Sequence, residues 1–235
     1  MTNRIGLIGA MDEEIRQLRL DLKTEQIDVR AGITFYIGEI KGCSVVLCRS
    51  GVGKVNAAVT TQILIDVFDV SHLIFTGIAG ALDENLHVGD LVISSSAIQH
   101  DIDATALGFK RGQIPMQSTS SVFEPDSTLV ELAEQAAAKV LDCRIVKGRI
   151  LSGDQFIADV EVAKTLRQEF DGSCVEMEGA SVAQAASMSE RPFVIIRAIS
   201  DNANKEATMS FTEFTELASR QSYLLVSEML NNWKR

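Results

Sequence analysis

The sequence is poor in the residues from which most metal centres and nucleophilic sites are built. It holds three histidines and four cysteines in 235 residues, without a CxxC pair, an HExxH motif or a GxSxG turn. A zinc centre and a serine-hydrolase triad therefore do not fit the chain, and we expect neither a metal nor a cofactor. If the chain is an enzyme, carboxylates are the groups left for its acid–base chemistry.

Positive charge and long apolar runs are also scarce. Lys and Arg number 22 against 32 Asp and Glu, which gives a net charge of −10. An acidic chain without basic runs is a poor partner for nucleic acids or anionic membranes. The longest uncharged stretch, Val70–Leu82, has 13 residues, too few to span a bilayer, and acids at 12–14 replace the apolar core of a secretory signal. Together with cysteines that read as buried thiols, these features predict a cytoplasmic protein.

Few chain breakers interrupt the sequence. It has three prolines and no low-complexity tract or visible repeat, so we expect one domain over residues 1–235. Consecutive apolar residues predict strands at Arg4–Gly9, Ile33–Ile40, Ser44–Ser50, Leu73–Thr76, Asp90–Ala97, Ile145–Leu151, Ser173–Val175 and Phe193–Ile199. Apolar residues at helical spacing predict helices at Asp12–Leu22, Lys54–Phe68, Thr128–Leu141, Val160–Phe170, Gly179–Ser187 and Thr212–Leu230. This alternation predicts an α/β fold with a mixed or mostly parallel sheet, and the irregular segment 101–124 reads as a lid, binding loop or interface element.

Two glycine turns follow predicted strands. Gly51-Val-Gly53-Lys54 lacks the first glycine and the final Ser or Thr of a P-loop, and Asn56 stands where a dinucleotide fingerprint has its third glycine. A tight turn that lets a ligand approach is therefore favoured over a phosphate loop. The segment Thr76–Ala81 places two more glycines after a strand, at the edge where open α/β sheets bind ligands.

Acidic residues gather at the same predicted edge. Glu14 opens a helix within Asp12-Glu13-Glu14, where acids offset the helix dipole but can also hold a water. Glu176 and Glu178 end an apolar strand and point to one side if the backbone is extended. A carboxylate accepts two adjacent hydrogen bonds, which suits the vicinal diol of a ribose; a salt-bridged strand end is the alternative.

A further strand ends in Arg197 and Asp201. Arg197 lies inside an apolar run and needs an anionic partner, for which Glu14 or Glu178 would serve. Asp201 can donate to a ring nitrogen when protonated or accept from an exocyclic amine when ionised, the alternative being a cap or turn role. Phe156, after another predicted strand, can stack on a planar ring or belong to the core.

Taken together, these motifs resemble the 5'-methylthioadenosine/S-adenosylhomocysteine nucleosidases of the nucleoside phosphorylase superfamily. They stand in family order and spacing over almost the whole chain, at Ile5–Glu14, Ser50–Val55, Thr76–Gly80, Val88–Asp90, His100–Asp103, Gly112–Pro115, Ser152–Ile157, Val175–Glu178 and Arg197–Asp201. The resemblance implies a three-layer α/β/α sandwich around a central mixed β-sheet, working as a homodimer.

The resemblance also implies an activity in methionine salvage. Family members hydrolyse the N-glycosidic bond of 5'-methylthioadenosine and S-adenosylhomocysteine, and commonly of 5'-deoxyadenosine, releasing adenine and a 5-thioribose derivative from the thio substrates. Glu14 matches the acid that activates water, and Asp201 matches the acid that serves adenine at N7 and N6. Binding positions match at Met177 and Glu178 for ribose, Phe156 and Ile157 for adenine, Gly80, Arg197 and Ser200 elsewhere in the pocket, Met11, Val52 and Phe211 for the 5'-substituent, and Ala104, Leu107 and Pro115 from the neighbouring subunit.

The implied chemistry agrees with the residue types. Cleavage between C1' and N9 builds positive charge on the sugar and negative charge on adenine. A protonated Asp201 neutralises the leaving group, Glu178 faces the cationic sugar, and Glu14 takes a proton from the attacking water, as in the two-carboxylate scheme of inverting glycosidases. We therefore expect a raised pKa for Asp201.

Some residues depart from the family pattern. Ile78, a pocket position, stands where the nucleosidases usually have Ser or Thr, and Ala81 replaces a Gly. Asp12 replaces a Glu, while Ala104 and Leu107 differ from the common Val and Phe. These changes leave the order of substrate preference open.

Three other functions remain as alternatives. A phosphorolytic enzyme needs arginines around phosphate, whereas this chain has Thr76 and the acids 12–14 at the corresponding positions. A hydrolase of another nucleoside, such as a futalosine-type substrate, would differ in its purine, and Asp201 favours a 6-amino purine. A nucleoside-binding protein without catalysis would lack one of the three acids, all of which are present.

Overall fold

The computed structural model describes residues 4–117, 120–203 and 207–233, with the backbone alone for 207–213. Within these residues the strands are β1 (Ile5–Gly9), β2 (Lys23–Arg30), β3 (Ile33–Ile40), β4 (Cys43–Arg49), β5 (His72–Ala81), β6 (Leu91–Gln99), β7 (Val122–Phe123), β8 (Ile145–Ser152), β9 (Gly172–Glu176) and β10 (Phe193–Asp201). The helices are α1 (Asp12–Asp21), α2 (Lys54–Asp66), α3 (Ser127–Val140), α4 (Val160–Phe170), α5 (Gly179–Met188) and α6 (Ala207–Asn231).

All of these strands join one mixed sheet. Its main path runs β10-β6-β8-β9-β5-β1-β4-β3-β2, with β7 beside β6. β10 also pairs with β5, so β10, β6, β8, β9 and β5 close into a ring from which the other strands extend. β1, β4, β5 and β10 are mutually parallel where they pair, and the end of β9 meets the end of β5 in an antiparallel contact. The carboxyl ends of four strands thus converge at one edge.

Helices cover both faces of the sheet. On one face α2 and α5 supply Leu64 and Ala183 to a buried apolar cluster. On the other face α1, α3 and α6 supply Leu18, Ala133 and Leu225 to a second cluster. Burial of this apolar surface is the main stabilising term for such layers. The predicted α/β fold, with helical layers around a mixed sheet, is confirmed. Within the described ranges, no helix is both long enough and apolar enough to cross a membrane.

The structure corrects the sequence-based boundaries in three places. β2 was not predicted, because most of its residues are polar and exposed. Its partner in the sheet is β3 alone. The expected turn at Thr76–Ala81 is instead the second half of β5. The short strand β7 and a 3₁₀ turn at Thr105–Leu107 interrupt the long segment 101–124, which is otherwise irregular over its described residues.

Candidate active site

A cavity of about 180 Å³ lies at the edge where β1, β5, β9 and β10 end. Its wall contains most of the residues that the sequence assigned to a pocket, namely Met11, Glu14, Val52, Ile78, Gly80, Phe156, Ile157, Met177, Glu178, Ser200 and Asp201. The other wall residues are their chain neighbours Ala10, Ala79, Gln155, Val175 and Glu176. Segments far apart in the chain therefore meet here because their strands end at one edge.

Glu14 is held rigidly in the first turn of α1. Its Oε2 accepts hydrogen bonds from the backbone N–H of Ala10 at 2.5 Å and of Met11 at 2.9 Å, and Oε1 accepts from Ile78 N–H at 3.1 Å. The side chain is buried. Burial raises the pKa of Glu14, while the Arg197 guanidinium and the backbone donors act in the opposite direction. A fixed carboxylate with a raised pKa suits a general base for a water molecule.

Glycine at position 77 makes this placement possible. A Cβ there would lie 2.5 Å from Glu14 Oε1 and 2.8 Å from an Arg197 nitrogen. At Gly80 a Cβ would lie 2.8 Å from Asp201 Oδ1. The two glycines thus admit functional side chains against the strand, a use that the sequence-based turn at this segment did not anticipate.

Glu178 stands at the start of α5 and is buried. Its Oε1 accepts the backbone N–H of Gly53, in the turn between β4 and α2, at 2.8 Å. Burial and the nearby Glu176 raise the pKa of Glu178 to about 8, against the lowering effects of Arg197 and of the Gly53 N–H. Gly53 was noted in the sequence as part of a ligand-approach turn, but its contact with an acid 125 residues away was not predicted.

Glu176 is the partner of Arg197, which corrects the expectation that Glu14 or Glu178 would serve. Arg197 donates from Nε at 3.2 Å and from Nη2 at 2.6 Å to Glu176 Oε2. Glu176 also accepts the Ser152 hydroxyl and the backbone N–H of Gly179. The strand ends at Glu176 and a helix begins at Gly179, so the alternation of an extended strand does not continue to Glu178.

Arg197 itself lies behind the cavity. It is 1% exposed, it stacks on the ring of Phe75 with 3.9 Å from its Cζ to the ring centroid, and it is absent from the wall. Its Nε and Nη2 donate to Glu176 and its Nη1 to the Ile196 carbonyl, and its predicted role as a substrate contact stays a prediction. Its charge still acts on the cavity, because it lowers the pKa of Glu14 and of Glu178.

Asp201, the last residue of β10, also lines the cavity. Its Oδ1 accepts Ala203 N–H at 2.8 Å, and its Oδ2 accepts the Ser200 hydroxyl at 2.8 Å. Burial raises the pKa of Asp201, and these two donors lower it. The net rise has the direction expected from the sequence.

The remaining pocket positions divide into wall residues and outlying ones. Ile78 lines the cavity with an apolar side chain, and its backbone N–H serves Glu14. Phe156 is half-exposed at the rim. The side chain of Phe211 lies outside the described residues. The positions expected from a neighbouring subunit line none of this chain's cavity; they are Ala104, Leu107 and Pro115.

No set of three or more His, Cys, Asp or Glu side chains among the described residues is arranged to hold a metal ion. None of the four cysteines forms a disulfide, and three of them are buried, at Cys43, Cys48 and Cys174. The acidic side chains in the described wall of the cavity are Glu14, Glu176, Glu178 and Asp201.

Comparison with known proteins gives matches over the full chain. A family model described as the phosphorylase superfamily matches residues 4–231. The 5'-methylthioadenosine/S-adenosylhomocysteine nucleosidase of Geobacillus sp. is 40% identical over 233 residues, covering 99% of this chain and 100% of the relative. That of Halalkalibacterium halodurans is 44% identical over 224 residues, covering 95% and 96%.

Solved structures give the same picture. The nucleosidase of the same name from Neisseria meningitidis, in complex with methylthio-immucillin-A, superposes with a TM-score of 0.94 at 39% identity, covering 98% of this chain and 100% of the other. A futalosine hydrolase from Helicobacter pylori superposes with a TM-score of 0.94 at 34% identity, covering 99% of each chain.

Proposed function

We propose a reaction for this chain from the premise that it belongs to the 5'-methylthioadenosine/S-adenosylhomocysteine nucleosidase family of the phosphorylase superfamily. It hydrolyses the N-glycosidic bond of 5'-methylthioadenosine and S-adenosylhomocysteine, and also that of 5'-deoxyadenosine. The products of the first two are adenine and a 5-thioribose derivative. The observation that carries the proposal is the presence of three buried carboxylates, Glu14, Glu178 and Asp201, around one cavity.

Asp201 activates the leaving group. Cleavage of the C1'–N9 bond leaves an electron pair on adenine, and a proton at N7 turns this anion into neutral adenine. The raised pKa of Asp201 supports this role, because the acid must hold a proton near neutral pH. Phe156 at the rim offers a face on which the purine can stack.

Glu178 and Glu14 act on the sugar and the water. As the bond breaks, positive charge develops on the ribose beside Glu178, which binds the sugar hydroxyls. That charge lowers the pKa of Glu178 from about 8, and the carboxylate form stabilises the cationic sugar. Glu14 then takes a proton from the water that attacks C1'. Burial and the raised pKa of Glu14 make it a stronger base than an exposed carboxylate.

The charge of the cavity favours hydrolysis over phosphorolysis. Its described wall carries Glu14, Glu176, Glu178 and Asp201 and no lysine or arginine. Arg197, a buried cation behind the cavity, pairs with Glu176. A phosphate ion next to C1' would meet carboxylates rather than the cationic groups it needs.

A second candidate is hydrolysis of a futalosine-type nucleoside, which the similarity to a futalosine hydrolase supports. The two candidates differ at the purine 6-position. Asp201 can accept a hydrogen bond from a 6-amino group when ionised, which favours adenine-containing substrates.

We also propose that a second copy of the chain completes the site. Ala104, Leu107 and Pro115 lie on the irregular segment and line no part of their own cavity. Leu107 is 70% exposed, and nearby Met116 is 90% exposed, so apolar surface is available for a partner. Sedimentation of the wild type should give a dimer, and Leu107→Asp should weaken it and raise KM. A wild-type monomer with full activity would exclude the shared site.

Release of adenine by the purified protein tests the reaction. We expect release from 5'-methylthioadenosine at the same rate with and without phosphate, and again from S-adenosylhomocysteine and 5'-deoxyadenosine. Release that requires phosphate would show a phosphorylase. Activity confined to 6-oxo nucleosides would favour the futalosine-type candidate, and no release from any of them would favour a binding protein.

A further inference from the structure

Three charged residues form a closed ring of hydrogen bonds beside the cavity, through their side chains and two backbone N–H groups. Lys54 Nζ donates to Asp101 Oδ1 at 2.6 Å, and Asp101 Oδ2 accepts the backbone N–H of Asp154 at 3.0 Å. Asp154 Oδ1 accepts the backbone N–H of Lys54 at 2.8 Å, which closes the ring. The ring thus joins the start of α2 to the segments that follow β6 and β8.

This ring borders the turn that carries Gly53. The turn has positive φ angles at Gly51 and Gly53, +83° and +100°. No side chain of its own caps the start of α2. Asp154 supplies an acceptor there instead, and its Oδ1 lies 3.2 Å from where a Cβ at Gly53 would be. A carboxylate at a helix N-terminus also interacts favourably with the helix dipole.

The same turn also donates a hydrogen bond to Glu178. The peptide N–H that donates to Glu178 Oε1 belongs to Gly53, the residue directly before Lys54. Two consecutive N–H groups therefore point to two acids: that of Gly53 to Glu178, and that of Lys54 to Asp154. The two peptide units that carry these N–H groups meet at the Gly53 Cα, so the contact of the Lys54 N–H with Asp154 restricts where that Cα and the Gly53 N–H can lie.

We propose that Asp154, fixed by Asp101 and Lys54, is a positioning residue that aims Glu178 at the ribose hydroxyls through the Gly53 N–H. This inference rests on the proposed function for the role of Glu178 toward ribose. The ring is suited to such support, because the side chains of Lys54 and Asp101 are only 18% and 22% exposed and their contact is short. A mostly buried ion pair with one short contact holds its geometry better than an exposed one.

The test compares Asp154→Ala with Asp154→Asn. The first variant removes the acceptor for the Lys54 N–H, and the second keeps an amide oxygen in its place. Glu131→Ala, an exposed acid on α3, serves as the control for loss of one negative charge. Equal thermal midpoints and far-UV circular dichroism spectra would show that the variants fold.

Substrates with and without sugar hydroxyls separate positioning from a structural effect. For 5'-methylthioadenosine we expect Asp154→Ala to lower kcat/KM about tenfold, the effect of one hydrogen bond to a charged group. With the 2'-deoxy and 3'-deoxy analogues the loss should fall to about twofold for the analogue that lacks the hydroxyl bound by Glu178. Asp154→Asn should restore most of the activity, and Glu131→Ala should match the wild type.

A second measurement does not depend on turnover. The Gly53 N–H lowers the pKa of Glu178, so its displacement in Asp154→Ala should raise that pKa in a carboxyl-carbon NMR titration. An unchanged pKa, or equal losses of kcat/KM on all three substrates, would overturn the positioning role. If Glu178→Ala also loses kcat/KM equally on all three substrates, the proposed ribose role of Glu178 is wrong. The NMR titration then decides about Asp154, and an unchanged pKa of Glu178 in Asp154→Ala would reject its effect on Glu178.

Discussion

Removal of Arg197 tests the electrostatic design of the molecule without reference to catalysis. Its guanidinium is buried in the sheet and donates twice to Glu176. In Arg197→Met the apolar packing near Phe75 is largely kept, while Glu176 loses its cation. Loss of one partner from a buried ion pair costs about 3–5 kcal/mol, because the other charge stays desolvated. A domain has a total stability of about 5–15 kcal/mol, so the loss is large.

The loss should also depend on pH. Arg197 lowers the pKa of Glu14 and of Glu178, so both rise further in the variant. An acid whose folded pKa is raised above its unfolded value, here 4.5, favours folding at low pH and loses that contribution as the pH rises. The deficit of Arg197→Met relative to the wild type should therefore be greater at pH 8 than at pH 5.

Urea unfolding at pH 5 and pH 8 measures both effects. The double variant Arg197→Met with Glu176→Gln removes both charges, and we expect it to recover about 2 kcal/mol relative to Arg197→Met. Arg30→Met is the matched control, because Arg30 pairs with Asp28 at 2.9 Å on an exposed strand. Its loss should stay below about 1 kcal/mol.

Two outcomes would refute this reasoning. A loss below about 1 kcal/mol in Arg197→Met would mean that Glu176 is well solvated or satisfied by its hydrogen bonds alone. A double variant less stable than Arg197→Met would mean that the remaining carboxylate is not the source of the destabilisation.

Three further predictions follow from the same contacts. Glu178→Gln should flatten the fall in wild-type stability between pH 5 and pH 8 in urea titrations, because the folded pKa of Glu178 is about 8 and the unfolded one 4.5. Gly77→Ala should cost about 1–3 kcal/mol in thermal unfolding, since its Cβ would lie 2.5 Å from Glu14 and 2.8 Å from Arg197; an unchanged midpoint would contradict this. Asp201→Asn should lower kcat/KM for adenine release at least about 100-fold, because an amide cannot deliver the proton to the leaving group; wild-type activity would remove Asp201 from that role.

Much of the architecture could be predicted because its elements carry clear patterns of apolar residues, either consecutive or at helical spacing. Ile33–Ile40 and Val160–Phe170 have the bounds that the sequence predicted. The family resemblance is confirmed by relatives that match the full chain. The motifs that carried it meet at one cavity because the topology brings the ends of β1, β5, β9 and β10 together. The catalytic and binding roles of the individual residues stay predictions.

Other features left no readable pattern in the sequence. β2 is an edge strand with mostly exposed residues, so it lacks the apolar run or alternation that marks a buried strand. The second half of β5 looks like a turn because of Gly77 and Gly80, yet those glycines are needed where Glu14 and Asp201 approach the strand. The glycines favour a turn by their local propensity, but in the structure they lie in a strand, where the missing Cβ leaves room for the two acids.

The choice of Glu176 as the partner of Arg197 could not be read from composition either. Three acids lie within reach of Arg197, and its guanidinium acts electrostatically on all of them. Glu176 is at the end of β9 and also accepts the first N–H of α5, whereas Glu178 is already in the cap of that helix. The end of β9 thus decides which acid pairs with Arg197. A prediction from sequence places such a boundary only to within about two residues, which is enough to exchange Glu176 for Glu178.

That assignment decides which chemistry the cavity can support. With Arg197 occupied by Glu176, the remaining acids Glu14, Glu178 and Asp201 share no full cation, and burial raises the pKa of each. Such a site favours the protonated forms of its acids, and a substrate that becomes cationic stabilises the charged ones. Loss of a purine from ribose fits both properties, because the leaving group takes a proton and the sugar becomes positively charged. An incoming phosphate would add negative charge where the structure already carries too much, so water is the nucleophile that these residues can accommodate.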